Sequence, residues 1–226
     1  MSYLIVVAHP DDEVLGAGAA MYTLSKRGED IAVCVMSSNA EARAFRPETQ
    51  ELHDDADTAM AMLGVKKIYN GTFPNIQLNT VPHLHLVQFI EKAIADCQPD
   101  VVITHHPSDL NNDHLHTSLA CQAACRFFQR RSDIPPLQEL WYMEVPSATD
   151  WGLNKAANNF DPSIFIEVGQ EGIKKKLEAL SMYRGVMRDY PHPRSDEAIE
   201  GLAAYRGSQA GVCYAEAFQC AMRRIV

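Results

Sequence analysis

An α/β fold, a Rossmann-like three-layer sandwich on a mostly parallel sheet, follows from three observations. Apolar strands alternate with segments of helical periodicity along all 226 residues. Most of the strands are continuous apolar runs, which suits a sheet covered on both faces. Two of them stop at segments rich in histidine and acid, at the strand carboxyl ends where such folds bind ligands.

The elements follow in order. Tyr3–Ala8 is a strand, and Glu13–Arg27 carries helical spacing through Val14, Leu15, Met21, Tyr22 and Leu24. Asp30–Ser37 is the second strand. A helix over Pro47–Leu63 has proline in its first turn and Gly64 as its stop. Lys66–Asn70 is a short strand and Val81–Asp96 a helix. Asp100–Thr104 is a third buried-type strand, followed by a helix from His114 to Arg130. Glu139–Val145 and Ser163–Val168 read as strands around the polar loop Pro146–Pro162. Gly172–Arg188 and Ser195–Tyr205 read as helices, and Ala215–Val226 as a strand or a helix. No repeat, low-complexity tract or long linker divides the chain, so one domain over 1–226 is expected.

Composition narrows the function. With 46% hydrophobic and 22% charged residues the chain has an ordinary globular balance. A formal charge of −9 and the lack of a basic stripe exclude a nucleic-acid partner and disfavour an anionic membrane surface. No run approaches the ~20 apolar residues of a membrane span. The first apolar run is too short for a secretory leader and lacks a basic flank, so a cytoplasmic protein is expected. The six cysteines form no C-x-x-C pair. Cys34 lies within a strand and Cys121 and Cys125 one helical turn apart, as small core residues do. Any metal site must therefore come from histidine and carboxylate.

The richest stretch is Val6-Val7-Ala8-His9-Pro10-Asp11-Asp12-Glu13. His9 offers an imidazole and Asp12, three positions on, a carboxylate. That pair suits a divalent cation such as zinc, with Asp11 left free to handle protons. A plainer reading has Pro10 making a turn and an aspartate capping the next helix. About a hundred positions later, His105-His106-Pro107-Ser108-Asp109-Leu110-Asn111-Asn112-Asp113-His114-Leu115-His116 follows another apolar strand. A catalytic zinc site needs a third protein ligand and an open position, and this segment holds four histidines.

These motifs resemble the LmbE/PIG-L family of zinc-dependent N-acetyl-sugar deacetylases. Phe73-Pro74, Glu144-Val145-Pro146-Ser147, Pro191-His192-Pro193-Arg194-Ser195 and Tyr214-Ala215-Glu216-Ala217-Phe218 resemble one bacterial branch of it. The resemblance implies a deacetylase with Zn2+ held by His9, Asp12 and His114, and with Asp11 as general base. Asp113 then orients a ligand ring or a water. It also implies a small N-acetylated sugar or sugar conjugate as substrate, from N-acetylglucosamine itself to a nucleotide-, lipid- or glycan-linked form. Oligomeric state stays open, with a homo-oligomer allowed.

One departure bears on mechanism. Many relatives read His-Pro-Asp-His where this chain reads Asn111-Asn112-Asp113-His114, and their first histidine assists the oxyanion or protonates the amine. Asn111 can donate a hydrogen bond but delivers no proton. Either Asp11 does both jobs or another histidine substitutes. His192, fixed between two prolines, is the candidate, with Arg194 alongside for substrate; a plain surface loop is the alternative. Arg43 and Arg46, after the second strand, are candidates for an anionic part of the substrate. Lys174-Lys175-Lys176 reads as a solvated helix face. Gly16-Ala17-Gly18 lacks the position and spacing of a dinucleotide loop and reads as close helix packing. Two rival functions remain: an amidase acting on another thiol or sugar conjugate, and a non-catalytic module binding zinc or sugar.

Overall fold

The computed structural model describes residues 1–38, 49–152 and 159–225. Its centre is a seven-stranded sheet in the order β3-β2-β1-β4-β5-β7-β6. The strands are β1 (Ser2–Val7), β2 (Asp30–Val35), β3 (Lys67–Asn70), β4 (Val101–His105), β5 (Glu139–Met143), β6 (Ile164–Glu167) and β7 (Ala215–Arg223). The first five pair in parallel, while β7 runs antiparallel between β5 and β6. The fold class is therefore the one the alternation predicts, and the undecided C-terminal segment is a strand.

Covering both faces explains the continuous apolar runs. In β1, Tyr3, Ile5 and Val7 point into one core with α1 (Asp12–Lys26), α2 (Thr49–Met62), α5 (Gly169–Met182) and α6 (Asp196–Ala210). Leu4 and Val6 point into the other, with α3 (His83–Cys97) and α4 (Asn112–Ala124). The parallel register carries this alternation across the sheet, with Ile5 beside Val33 and Ile103. β-Branched residues suit such doubly covered strands. Small residues bring α1 close to the sheet: a Cβ on Gly16 would fall 2.5 Å from the sulfur of Met143. This close approach is the packing role expected of Gly16-Ala17-Gly18.

The bounds of three helices, α4, α5 and α6, shift most from the sequence expectation, for local reasons. α4 starts at Asn112 because Asn111 caps it, its Oδ1 accepting the Asp113 N–H at 2.9 Å. It ends at Ala124, and Phe127–Gln129 forms a separate short turn. α6 is capped by Ser195, whose Oγ accepts from the N–H of Ala198, and runs to Ala210 before Gly211 at φ 75°. α5 begins at Gly169 and stops at Met182, so Tyr183 turns inward instead of continuing the helix.

The lysine run is corrected too. Lys174 is exposed, but Lys176 is buried between α1 and β7. Its Nζ donates to Glu216 Oε1 at 2.6 Å and to the Leu15 carbonyl at 2.7 Å. The pair joins α5, α1 and β7.

Among the described residues no helix is long and apolar enough to cross a membrane.

Candidate active site

The strand order reverses between β1 and β4, so their carboxyl ends open the crevice that such sheets offer to ligands. His105 stitches the two ends together: its Nε2 accepts the Ala8 N–H at 2.9 Å. Accepting there places the ring proton on Nδ1, which is buried and has no partner among the described residues. Burial, with the neighbouring His114, pushes the His105 pKa down to about 3. His105 is thus a neutral wall, and its ring stacks on His114 with centroids 3.8 Å apart.

His9, Asp12 and His114 converge in front of that wall. Asp12 Oδ2 lies 3.3 Å from His9 Nδ1 and 3.2 Å from His114 Nε2. One donor atom from each of the three lies within 4.8 Å of the others, and all three residues are buried. The far nitrogen of each ring meets another carboxylate. His9 Nε2 is 3.0 Å from Asp113 Oδ2, and His114 Nδ1 is 3.0 Å from Asp109 Oδ2. This is the arrangement that orients imidazoles toward a cation. Two neutral nitrogens and one carboxylate oxygen, with outer acids aligning the rings, fit a divalent metal.

The surrounding acids make the cluster a strongly negative setting that favours positive charge. Burial opposes charge on His114, yet Asp12 and Asp109 lift its pKa to about 10. Burial likewise opposes charge on His9, and Asp113 with Asp12 raises its pKa. Burial would raise Asp12, but His114 and His9 hold it well below the usual carboxylate range. Asp12 also sits in the first turn of α1, where the helix terminus favours an anion.

Asp113 and Asp109 do more than align rings. Asp113 Oδ1 accepts the Leu78 N–H at 3.0 Å, tying the segment after Phe73-Pro74 to the site. Asp109 accepts from the N–H of Asn111 at 2.8 Å and from the Thr149 hydroxyl at 2.9 Å. Asp109 was not singled out from sequence. It precedes α4 in an irregular loop, so no helical spacing links it to His114.

A cavity of about 480 Å³ opens over this cluster. Asp11, Asp12, His9 and His114 line its floor, with Asn75, Asn111, Ser147 and Arg194 as polar walls and Ile76, Leu110 and Ala148 as apolar ones. Arg194 Nη1 stands 3.3 Å from Asp11 Oδ2, and its Nε donates to Ser147 Oγ at 2.7 Å. Three lining residues other than glycine have left-handed backbone: Asp11 at φ 99°, Ile76 at 57° and Ser147 at 72°. Strain of this kind collects at functional sites.

The structure brings His9, Asp11, Asp12, Asn111, His114 and Arg194 to one cavity, with Asp113 directly behind His9. It does not bring His192, which is exposed and absent from the lining. The His192 Nδ1 folds back to accept the Arg194 N–H at 3.1 Å. Partial burial and the Arg194 charge lower its pKa. The Pro-His-Pro segment thus offers Arg194, not an imidazole, to the site. Arg43 and Arg46 lie outside the described residues.

Residues 4–125, which span β1 to α4, match the family model described as PIG-L, GlcNAc-PI de-N-acetylase. The chain is 31% identical over 189 residues to a protein of Escherichia coli (strain K12) named uncharacterized deacetylase YaiS, covering 80% of this chain and 89% of that one. The N,N'-diacetylchitobiose deacetylase of Pyrococcus horikoshii superposes with a TM-score of 0.79 at 19% identity, covering 97% of this chain and 83% of that one. The 4-carboxy-2-hydroxymuconate hydratase GalB of Pseudomonas putida KT2440 superposes with a TM-score of 0.77 at 20% identity, covering 100% and 98%. At such identities these two likenesses concern the fold alone.

Proposed function

The chain belongs to the PIG-L (LmbE-like) family, and on that premise we propose a metal-dependent hydrolase that removes the N-acetyl group of an amino sugar or sugar conjugate, releasing acetate. The family's description as a de-N-acetylase and the relative's name as a deacetylase support the reaction class. The observation that carries the reading is local: Asp12 between His9 and His114 makes a three-donor site, and Asp11 beside it is not one of the donors. A binding module has no use for a second acid there.

His9, Asp12 and His114 would hold the cation, for which we assign zinc from the donor set. When bound, such a cation lowers the pKa of water toward ~7 and polarises an amide oxygen. Asp11 takes the proton of the water that attacks the acetyl carbon. As the carbon–nitrogen bond breaks, the same carboxyl returns that proton to the leaving amine. Asp11 performs both transfers because Asn111 carries no titrating group and His192 lies outside the cavity. Arg194, anchored on Ser147, directs the Asp11 carboxylate and meets the substrate at the cavity wall. The apolar rim of Ile76 and Leu110 faces the less polar side of a sugar ring.

The test is acetate release from zinc-loaded protein incubated with N-acetyl sugars, sugar nucleotides and acetylated thiol conjugates. One acetate per free amine formed is expected, from at least one sugar-containing member. Asp11→Asn is expected to retain zinc and lose about 10²–10⁴-fold in kcat. Zinc-loaded, folded protein that releases no acetate across the panel would mark a non-catalytic module. Activity confined to non-sugar amides would point to the amidase.

A further inference from the structure

Behind the site lies a pair of buried polar side chains that the reaction does not use. Glu13 follows Asp12 on α1, and its carboxyl group accepts the Asp11 N–H at 3.1 Å through Oε2 and 3.3 Å through Oε1. Glu13 Oε1 also accepts the hydroxyl of Tyr183 at 2.5 Å. Tyr183 sits 170 positions away, where the chain leaves α5. Both side chains are almost wholly buried, and neither lines the catalytic cavity.

Packing alone does not account for the pair. Burying a carboxyl and a phenol is costly unless their hydrogen bonds are made, and an apolar residue would fill the space without that cost. What the pair contacts is the peptide of Asp11, which stands at φ 99° and ψ −29°. An L-residue leaves that region readily unless its surroundings hold it. We propose that Glu13 and Tyr183 are positioning residues, a brace that holds the strained Asp11 backbone and so aims its carboxylate into the cavity. This rests on the reading of Asp11 as the base. Two contacts then fix the carboxylate: the brace on the Asp11 N–H, and Arg194 on Oδ2 at the cavity side. Asp12, one residue on, supplies a donor to the metal site, so the brace also keeps base and cation site at constant separation.

The experiment compares Glu13→Ala, Glu13→Gln and Tyr183→Phe with the parent in zinc-loaded form, reading kcat, KM, zinc stoichiometry and the crystal structure around Asp11. Misplacing a catalytic group by about 1 Å costs about 10²-fold, so Glu13→Ala is expected to lose about that much in kcat, with KM and zinc content unchanged. Its Asp11 is expected to leave the left-handed region and draw away from Arg194. Glu13→Gln retains an oxygen that can accept the Asp11 N–H and is expected to recover most of the loss. Tyr183→Phe, nearly isosteric, is expected to lose several-fold in kcat alone and serves if Glu13→Ala does not fold. Parent-like kcat in Tyr183→Phe, or an unmoved Asp11 in folded Glu13→Ala, overturns the proposal. So does a Glu13→Gln no better than Glu13→Ala whose loss tracks zinc loss, because that is a merely structural effect. A parent that releases no acetate defeats the deacetylase reading instead, and the Asp11 geometry in the variants still decides the brace.

Discussion

The guanidinium of Arg194 and the carboxylate of Asp11 meet at 3.3 Å although 183 positions separate them in the chain. The contact joins the start of α1 to the loop before α6, and the same guanidinium reaches Ser147. Replacing Arg194 with alanine frees the Asp11 carboxylate on its cavity side. A fall in kcat/KM of about 10–100-fold is expected in steady-state acetate release, with zinc content unchanged. Lysine at this position recovers only part of it, because one ammonium lacks the fork that spans Asp11 and Ser147.

Metal loading is expected to be proton-linked. A cation needs neutral imidazoles, but in the metal-free protein the pKa of His114 stands at about 10. Zinc affinity is therefore expected to rise with pH from neutrality toward about 10, by up to about tenfold per unit for each proton displaced. Calorimetry in buffers of different ionisation heat counts those protons. The sign for stability is opposite. A histidine raised from 6.5 to about 10 stabilises the metal-free fold fully below pH 6.5 and loses that contribution as pH climbs through about 10. His105, lowered to about 3, contributes above 6.5 and is lost as pH falls toward that value. Denaturant titrations of metal-free protein across this span check both arms.

Asp113→Asn and Asp109→Asn test the outer carboxylates. Each substitution keeps the shape and removes the charge that orients an imidazole. A drop of about 10–100-fold in zinc affinity is expected for each, measured by competition with a chromogenic chelator. The two act on different rings that share Asp12, so the double variant is expected to depart from the sum of the single losses. An affinity equal to the parent in both variants would remove these acids from the metal site.

How much of this was legible in the chain follows from the range of each interaction. His9 and Asp12 share one short segment at a strand end, and Asp113 and His114 open a helix after another. Local spacing and strand position exposed His9 and Asp12, while the choice of His114 and Asp113 within the second segment came from the family resemblance. The fold was legible for the same reason, since strand and helix periodicity are local. Asp109, Tyr183 and Ser147 were not, because they lie in loops or past a helix end and their contacts leave no periodic trace. Lys176 misled: preceded by two other lysines it resembled a solvated face, and its burial is accounted for by Glu216 on β7 and the Leu15 carbonyl. His192 misled in a subtler way, since its rigid loop does reach the site but turns the neighbouring arginine inward.

The Lys176–Glu216 pair yields a stability prediction. Lys176→Met leaves the Glu216 carboxylate buried against α1 without its counter-charge. A loss of about 3–5 kcal/mol is expected by urea denaturation. Adding Glu216→Leu is expected to restore part of that loss, since it removes the unpaired charge but also the acceptor of the Ala19 and Ala20 N–H groups. If the double variant is less stable than Lys176→Met alone, the pair is not the unit that matters.

The left-handed backbone at Asp11, Ile76 and Ser147 sets a conflict between endurance and activity for anyone engineering this enzyme. Each such residue costs the fold about 1–3 kcal/mol, so glycine at those places relieves strain, and at Asp11 it deletes the proposed base as well. Screens that reward heat resistance alone would harvest that relief first. They would deliver sturdier molecules with a looser cavity wall, whereas gains sought at the far edge of the sheet carry no such conflict.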